Sequence, residues 1–358
     1  MDSEETGKLC AFTVSSLRGG TGLSIITTPD VAASLASTLQ QPETSWLEKQ
    51  RGTPFVADQR TPYEVKRIPN KGYGVVATAT IPKDSTVMLE LPVVLKLSNL
   101  SPWNYTGLLT LMHHAAKRLP AKDQRRLLQM ATQNKGYILD DIFRTNSFRV
   151  SLNGVAHAGL YPEIARINHE CKPNTIIRFS GQTLALEIVA YRDIQPGEEI
   201  TLSYFALNLR YHQRVKAIKG WGFECSCPFC QADEETRRNS DRRRDDIEAI
   251  LMAMKRRENI TRDVLSRAVV KLEEIVEEEG LSAQMGDLLY LVADACLAAR
   301  DLKLAREIGE EALKVQRRYA GVDNERSYEV VQLLEVLDKL EHEEASASAS
   351  ASTLASRS

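Results

Sequence analysis

Cys225, Cys227 and Cys230 fall within six residues, in the run Phe223-Glu224-Cys225-Ser226-Cys227-Pro228-Phe229-Cys230. No other feature of the chain restricts its folding as much. Thiols this crowded are not arranged for ordinary disulfide pairing, so the total of six cysteines does not imply three bridges. A tight thiolate cluster in a reducing compartment reads first as a metal site. A tetrahedral structural zinc needs four soft ligands and this segment supplies three. The competing reading is three buried, incidental thiols. Cys296 lies on an apolar helical face and reads as core, while Cys10 belongs to an N-terminal stretch of undecided order.

Around the cluster the texture of the chain changes twice. Residues 1–60 are mixed: Gly19, Gly20 and Gly22 interrupt a short strand-like run at Leu23–Ile26 and a helix-like run at Val31–Leu39. From Tyr63 short β-prone runs follow one another, at Tyr63–Arg67, Gly74–Thr78 and Val87–Leu95, separated by the turn signals Asn70–Gly72 and Pro82–Asp84. Residues 101–135 read as helical, with Leu108, Leu111 and Met112 on one face and Leu127, Leu128 and Met130 further on. Strand character returns from Ile142, at Phe148–Leu152, Thr175–Phe179, Leu184–Val189 and Glu199–Tyr204. From about Asp241 the pattern is helical throughout. Stripes run through Leu265/Leu272/Ile275, Leu288/Val292/Cys296, Leu302/Ala305/Ile308 and Val331/Leu334/Leu337/Leu340. A repeat near 35 residues is similar to a tetratricopeptide array, although the full consensus is absent. After Glu344 an Ala-Ser repeat has too little apolar surface to fold alone and reads as a disordered tail.

Two further segments carry chemistry: Asn168-His169-Glu170-Cys171-Lys172-Pro173-Asn174 and Gly197-Glu198-Glu199-Ile200-Thr201-Leu202-Ser203-Tyr204. With the cysteine run, in this order and spacing, they resemble the SET-domain protein lysine methyltransferases, in particular the SMYD-like branch and its fungal relatives. Asn70-Lys71-Gly72-Tyr73-Gly74, Asn146-Ser147-Phe148 and Gly159-Leu160-Tyr161-Pro162 extend the resemblance over residues 63–231. One departure is plain. The MYND zinc module usual in that branch is missing, because residues 96–145 contain no cysteine.

The resemblance implies a mainly β SET fold (residues 61–206) with a helical insert at about 101–135 and a post-SET zinc segment at 207–235. An α-helical, tetratricopeptide-like region at 240–342 and the tail at 343–358 follow. It implies S-adenosylmethionine as cofactor and Cys171 as the fourth ligand of a structural zinc, beside Cys225, Cys227 and Cys230. Lys71 and Tyr73 would flank the cofactor, with Gly72 and Gly74 admitting close backbone approach. Asn146 would contact its amino-acid end, Asn168 and His169 its amino group and adenine, and Phe223 would stack on adenine. Without the other motifs, Gly-Tyr-Gly would be a plain hairpin turn. Tyr204 would align the amine for transfer, against a simple packing role. Trp221 either lines the lysine channel or is core. Adjacent strand residues face opposite ways, so Glu198 and Glu199 read as turn and structural groups rather than an acid–base pair.

The implied function is methyl transfer to the amine of a protein lysine, in a histone or another protein. The alternatives are a non-catalytic SET scaffold that binds partners through its helices, and a methyltransferase for a small-molecule amine. A formal net charge of -2 gives no reason to expect direct nucleic-acid binding. No apolar run reaches the ~18 residues of a membrane span, and Asp2, Glu4 and Glu5 are unlike a leader peptide. The expectation is an intracellular protein of nucleus or cytoplasm, with a protein partner on its C-terminal helices. Arg237–Arg244 reads as a solvated helix start and Glu273–Glu279 as an exposed face.

Overall fold

Short β-branched runs closed by glycine and proline make small sheets, and three of them appear among the described residues of the computed structural model. The structure describes residues 8–17, 21–39, 61–98, 105–133, 135–257 and 260–355. The chain divides into two compact units. One comprises Met1–His169, Asn174–Leu202 and Trp221–Phe223; the other comprises Glu170–Pro173, Ser203–Gly220 and Glu224–Ser358.

The first unit holds the strands β1 (Cys10–Leu17), β2 (Thr21–Thr27), β3 (Tyr63–Ile68), β4 (Gly72–Ala77), β5 (Thr86–Glu90) and β6 (Val94–Leu97). They are followed by β7 (Phe148–Leu152), β8 (Val155–Leu160), β9 (Asn168–His169), β10 (Thr175–Phe179), β11 (Leu186–Ala190) and β12 (Glu199–Leu202). The sheets run β1-β2-β6-β8-β7, β10-β11-β5 and β3-β4-β12-β9. All pairs are antiparallel except β2 with β6 and β9 with β12. Leu23, Ile25, Val75, Leu95, Leu152, Tyr161, Ile188 and Ile200 lie in its main core.

Three departures from the sequence pattern have physical causes. The run Val87–Leu95 is two strands, β5 and β6, because Pro92 cannot donate to a ladder. Residues Ile138–Asn146 form a helix where strand character was expected from Ile142: Leu139, Ile142, Phe143 and Asn146 share one buried helical face. The N-terminal stretch contributes β1 and β2 to the five-stranded sheet, with Leu23 and Ile26 fully buried. Gly19 and Gly20 lie outside the described residues. The insert itself comprises α3 (Tyr105–Lys117) and α4 (Ala121–Leu128), after the short α1 (Pro29–Ser34) and α2 (Ala36–Leu39) and before α5 (Ile138–Asn146).

The second unit is helical: α6 (Tyr211–Lys219), α7 (Pro228–Gln231), α8 (Glu234–Arg256), α9 (Arg262–Glu279), α10 (Met285–Ala298), α11 (Leu302–Tyr319) and α12 (Glu325–Ala355). From α8 onward each helix packs on the next, and α10 also touches α8 and α12. Asp233, Thr261 and Asp301 cap α8, α9 and α11 through side-chain oxygens. Cys296 is fully buried in this core, and burial pushes its thiol up to about 12. The last helix buries Val330, Leu333 and Leu337; of the expected stripe, Leu337 is in this core and Leu334 and Leu340 pack against it. It continues through the Ala-Ser repeat expected to be a tail. Alanine is the best helix former, and a helix already nucleated by packing needs little to propagate. No described helix is long and apolar enough to cross a membrane.

The charged runs also differ from their surface reading. Arg244 is buried and pairs with the buried Glu279, which Arg243 and Ser240 also contact. Arg238, by contrast, is exposed and pairs with Glu234 one turn away.

One buried carboxylate sets up the approach to β9. Glu90, at the end of β5, accepts the backbone N–H of Glu163 and, at 2.9 Å, of Ile164, and pairs with Arg126 at 2.6 Å. This holds the 3-10 turn Ile164–Arg166 that leads into Asn168. Burial pushes Glu90 up to about 7, against the opposing pull of the backbone donors and Arg126. A carboxyl that holds its proton more tightly when folded gives stability at low pH that is lost as pH rises from about 4.5 to about 7. Melting temperatures of wild type and Glu90→Gln across this range should shift steadily in favour of the variant as pH rises. A constant difference would remove Glu90 as the titrating group.

Candidate functional site

The sheet β3-β4-β12-β9 brings the separated motifs together. Strand β12 pairs with β4 on one side and, in parallel, with β9 on the other, placing Asn168 opposite Thr201 and His169 opposite Leu202. Two residues of strand are a weak ladder, and Asn174 reinforces it. Its amide donates to the Glu199 carbonyl at 2.8 Å and accepts the Thr201 N–H at 2.8 Å. Asn174 is 3% exposed, so its motif position is explained by this clamp on the β12 backbone.

Glu199 is the residue that motif reading undervalued. Its carboxylate accepts Asn168 Nδ2 at 2.9 Å and Lys71 Nζ at 2.7 Å. Asn168 Nδ2 also donates to the Tyr73 carbonyl at 3.2 Å. With both amide hydrogens directed at acceptors, the orientation of Asn168 is set and Oδ1 is its remaining acceptor. Glu198 faces the other way, toward Arg192 and the Gln195 N–H, and Arg192 holds its carboxyl below the usual range. Strand alternation separated the two glutamates as expected; the Asn168 contact spans 31 residues and left no local trace.

Each of the two glycines has a local reason within the fold. Gly72 has φ +74 with open space at the Cβ position, which makes it a left-handed turn residue. A Cβ on Gly74 would stand 2.6 Å from Asn168 Nδ2, 2.7 Å from Ile68 Cγ1 and 2.9 Å from Glu199 Oε1. Gly74 thus makes room for the Asn168–Glu199 pair. Tyr73, between them, is 59% exposed.

His169 is buried, and its ring centroid lies 6.4 Å from that of Phe223, the planes inclined at 55°. Phe223 is 41% exposed and so presents ring surface to solvent. The Trp221 carbonyl accepts Gln133 Nε2 at 3.2 Å. Asn146 is buried, and its Nδ2 donates to the carbonyls of Ala131 and Ile142, both at 2.8 Å. These residues belong to the first unit. Tyr204 is partly buried, two residues beyond β12 in the chain, and belongs to the second unit.

The second unit also gathers Cys171, Cys225, Cys227 and Cys230, whose sulfurs all lie within 4.8 Å of one another. Cys171 Sγ is 3.9 Å from Cys225 Sγ and 3.4 Å from Cys230 Sγ. Four thiolates about 2.3 Å from a tetrahedral zinc would be separated by about 3.8 Å, so the donor set and its spacing fit that ion. Hydrogen bonding with Cys225 and the other two thiols pushes Cys171 up, whereas the contact with Cys171 holds Cys227 down at about 6. Four sulfurs cannot all ionise at this distance without a cation between them.

Residues 72–205 match the SET domain family. The chain carries a SET domain. It is 25% identical to the histone-lysine N-methyltransferase set5 of Schizosaccharomyces pombe over 279 residues, which span 76% of this chain and 83% of that protein. Human histone-lysine N-methyltransferase SMYD3 is 41% identical over 78 residues, 22% of this chain and 18% of that protein. Human N-lysine methyltransferase SMYD2 is 28% identical over 191 residues, 47% of this chain and 43% of that protein. The chain thus spans less than half the length of the two human relatives. Within the SET domain, β4, β9 and β12 carry all the contacts described around Asn168.

The glycine geometry gives a direct test. Gly74→Ala should destabilise the protein by about 1–3 kcal/mol, the usual cost of overpacking. Gly72→Ala should cost about 1–2 kcal/mol from backbone conformation alone. Urea unfolding measures both, and nuclear magnetic resonance of the Asn168 side-chain amide should show a large shift only for Gly74→Ala. An unmoved Asn168 signal in Gly74→Ala would mean that the pair accommodates a methyl group.

Proposed function

We propose that this protein transfers a methyl group from S-adenosylmethionine to the side-chain amine of a lysine in a protein substrate. The observation that carries the reading is the fixed orientation of Asn168. Its Nδ2 is directed at Tyr73 O and Glu199, and its oxygen is left as an acceptor suited to an ammonium group. His169 and the exposed face of Phe223 stand next in the same unit and suit a flat aromatic base. Lys71 and Tyr73 border this region, and Asn146, with its donors engaged, has its amide oxygen for the amino-acid end. The names of the relatives, histone-lysine and N-lysine methyltransferases, support a protein lysine as acceptor.

S-adenosylmethionine supplies an activated methyl group on a positively charged sulfur. The chain's own task is to present a neutral amine in line with it. A free lysine has pKa ~10.4, so the amine must lose its proton first, and an apolar channel favours that loss. In this reading Trp221 lines the channel. The Tyr204 hydroxyl holds the amine in the attacking direction, an effect on geometry that needs no proton acceptor of its own. Zinc, held by Cys171, Cys225, Cys227 and Cys230, is structural: it ties the segment after His169 to the segment after Phe223. Four thiols gathered at one site agree with a reducing compartment, nucleus or cytoplasm. The packed helices from α8 to α12 offer a surface for a protein partner.

The test is incubation of purified protein with labelled S-adenosylmethionine and a peptide array, followed by single-turnover kinetics on any labelled peptide. Tyr204→Phe keeps the ring and removes one hydroxyl. Its rate should fall by about tenfold or more, up to the ~3 kcal/mol typical of a lost positioned group. Affinity for S-adenosylhomocysteine should be nearly unchanged, because the hydroxyl acts mainly in the transition state. Equal rates would take Tyr204 out of the mechanism. Absence of any lysine labelling with bound cofactor would favour a scaffold.

A further inference from the structure

Arg214, in α6, is the largest fully buried side chain among the described residues, at 1% exposure. Its Nη1 donates to the Leu209 carbonyl at 2.6 Å, while Nε and Nη2 have no hydrogen-bond partner. Among the described residues no carboxylate lies within ion-pair distance of it. The contrast with Arg244 is instructive. Both guanidinium groups lie over the ring of Phe229, at 4.2 Å for Arg214 and 5.3 Å for Arg244. Arg244 has the buried Glu279 as counter-charge; Arg214 has none. The aromatic face offsets part of the cost of burying a cation but leaves its charge uncompensated.

The surroundings of Arg214 identify the missing charge. It lines a cavity of about 250 Å³ together with Cys171, Cys225 and Cys230. Phe229, on which it stacks, sits in the chain between Cys227 and Cys230. A divalent zinc with four thiolates carries a net charge of about −2. Glu224 also lines the cavity, but it is exposed and beyond ion-pair distance. Resting on the zinc reading above, we propose that Arg214 is the buried counter-ion of the zinc–tetrathiolate centre, a positioning residue whose charge offsets that of the centre and so slows loss of the metal. The relation is reciprocal. The centre supplies the negative charge that makes a buried guanidinium tolerable, and the guanidinium lowers the cost of gathering four thiolates in a protein interior.

The experiment uses the full-length, zinc-loaded protein and follows transfer of zinc to an excess of the chromogenic chelator 4-(2-pyridylazo)resorcinol. Metal content of the wild type is measured first by elemental analysis. Arg214→Met, which keeps length and removes charge, should release zinc about 10–100-fold faster, the range typical for loss of an outer-shell partner of a metal ligand. Arg214→Lys, which keeps the charge, should stay within about threefold of wild type. Lys216→Met, an exposed site on the same helix, should release zinc at the wild-type rate. Melting temperatures of loaded and metal-stripped forms separate charge from packing. Arg214→Met should lower the melting temperature of the loaded form only, whereas a packing defect lowers both alike. Wild-type release from Arg214→Met, or equal losses in both forms, overturns the assignment. A wild-type protein without zinc overturns the metal reading itself, and the elemental analysis distinguishes that failure from the other.

Discussion

The pairing of β12 with β9 is the contact on which the candidate site depends. It is a parallel ladder two residues long, and nothing in so short a ladder is self-sustaining. It persists because groups outside the ladder fix both strands. Asn174 supplies side-chain hydrogen bonds to the β12 backbone, and Glu90 holds the turn that delivers the chain to Asn168. Glu199 then joins Asn168, Lys71 and, through Asn168, the Tyr73 carbonyl into one network. A network in which each donor has an acceptor is constrained, and a constrained amide can discriminate among ligands by the direction of its remaining oxygen.

The two clusters of polar chemistry lie close in sequence but belong to different units. His169 ends the first unit's strand, and Cys171 begins the second unit's thiol cluster two residues later. The same division recurs between Phe223 and Cys225. A metal at the four sulfurs therefore constrains two chain segments at the points where each leaves the first unit.

Much of this arrangement could be read before any coordinates, and the parts that could not share a cause. Motif residues that act through fixed local spacing, such as Cys225, Cys227 and Cys230, are visible as such. Helices α9 to α12 are visible through their periodic apolar faces. Glu199 was visible only as one of two adjacent acids, because its partner lies in another segment and alternation reveals direction without destination. The helix at Ile138–Asn146 was obscured by branched and aromatic residues that suit strands equally well. Arg244 and Glu279 looked solvated because each sits in a run of like charges, and only the packing of α8 on α9 shows that they face one another. Gly74 suggested close approach, and the protein neighbours that a side chain there would meet, Asn168 and Glu199, come from segments far along the chain.

The parallel pairing of β2 with β6 has a consequence for biosynthesis. Leu23, Ile25 and Ile26 leave the ribosome well before the strand against which they pack, which begins at Val94 after a long intervening stretch. At ~5–20 residues per second, that partner follows on the order of ten seconds later. During this interval β1 and β2 can form a hairpin, which alone is marginal in water. Contacts so distant in sequence also close slowly in a refolding chain. Strands β1 and β2 thus wait for a partner made later, and until then they form a segment for which a chaperone that binds short apolar stretches would compete.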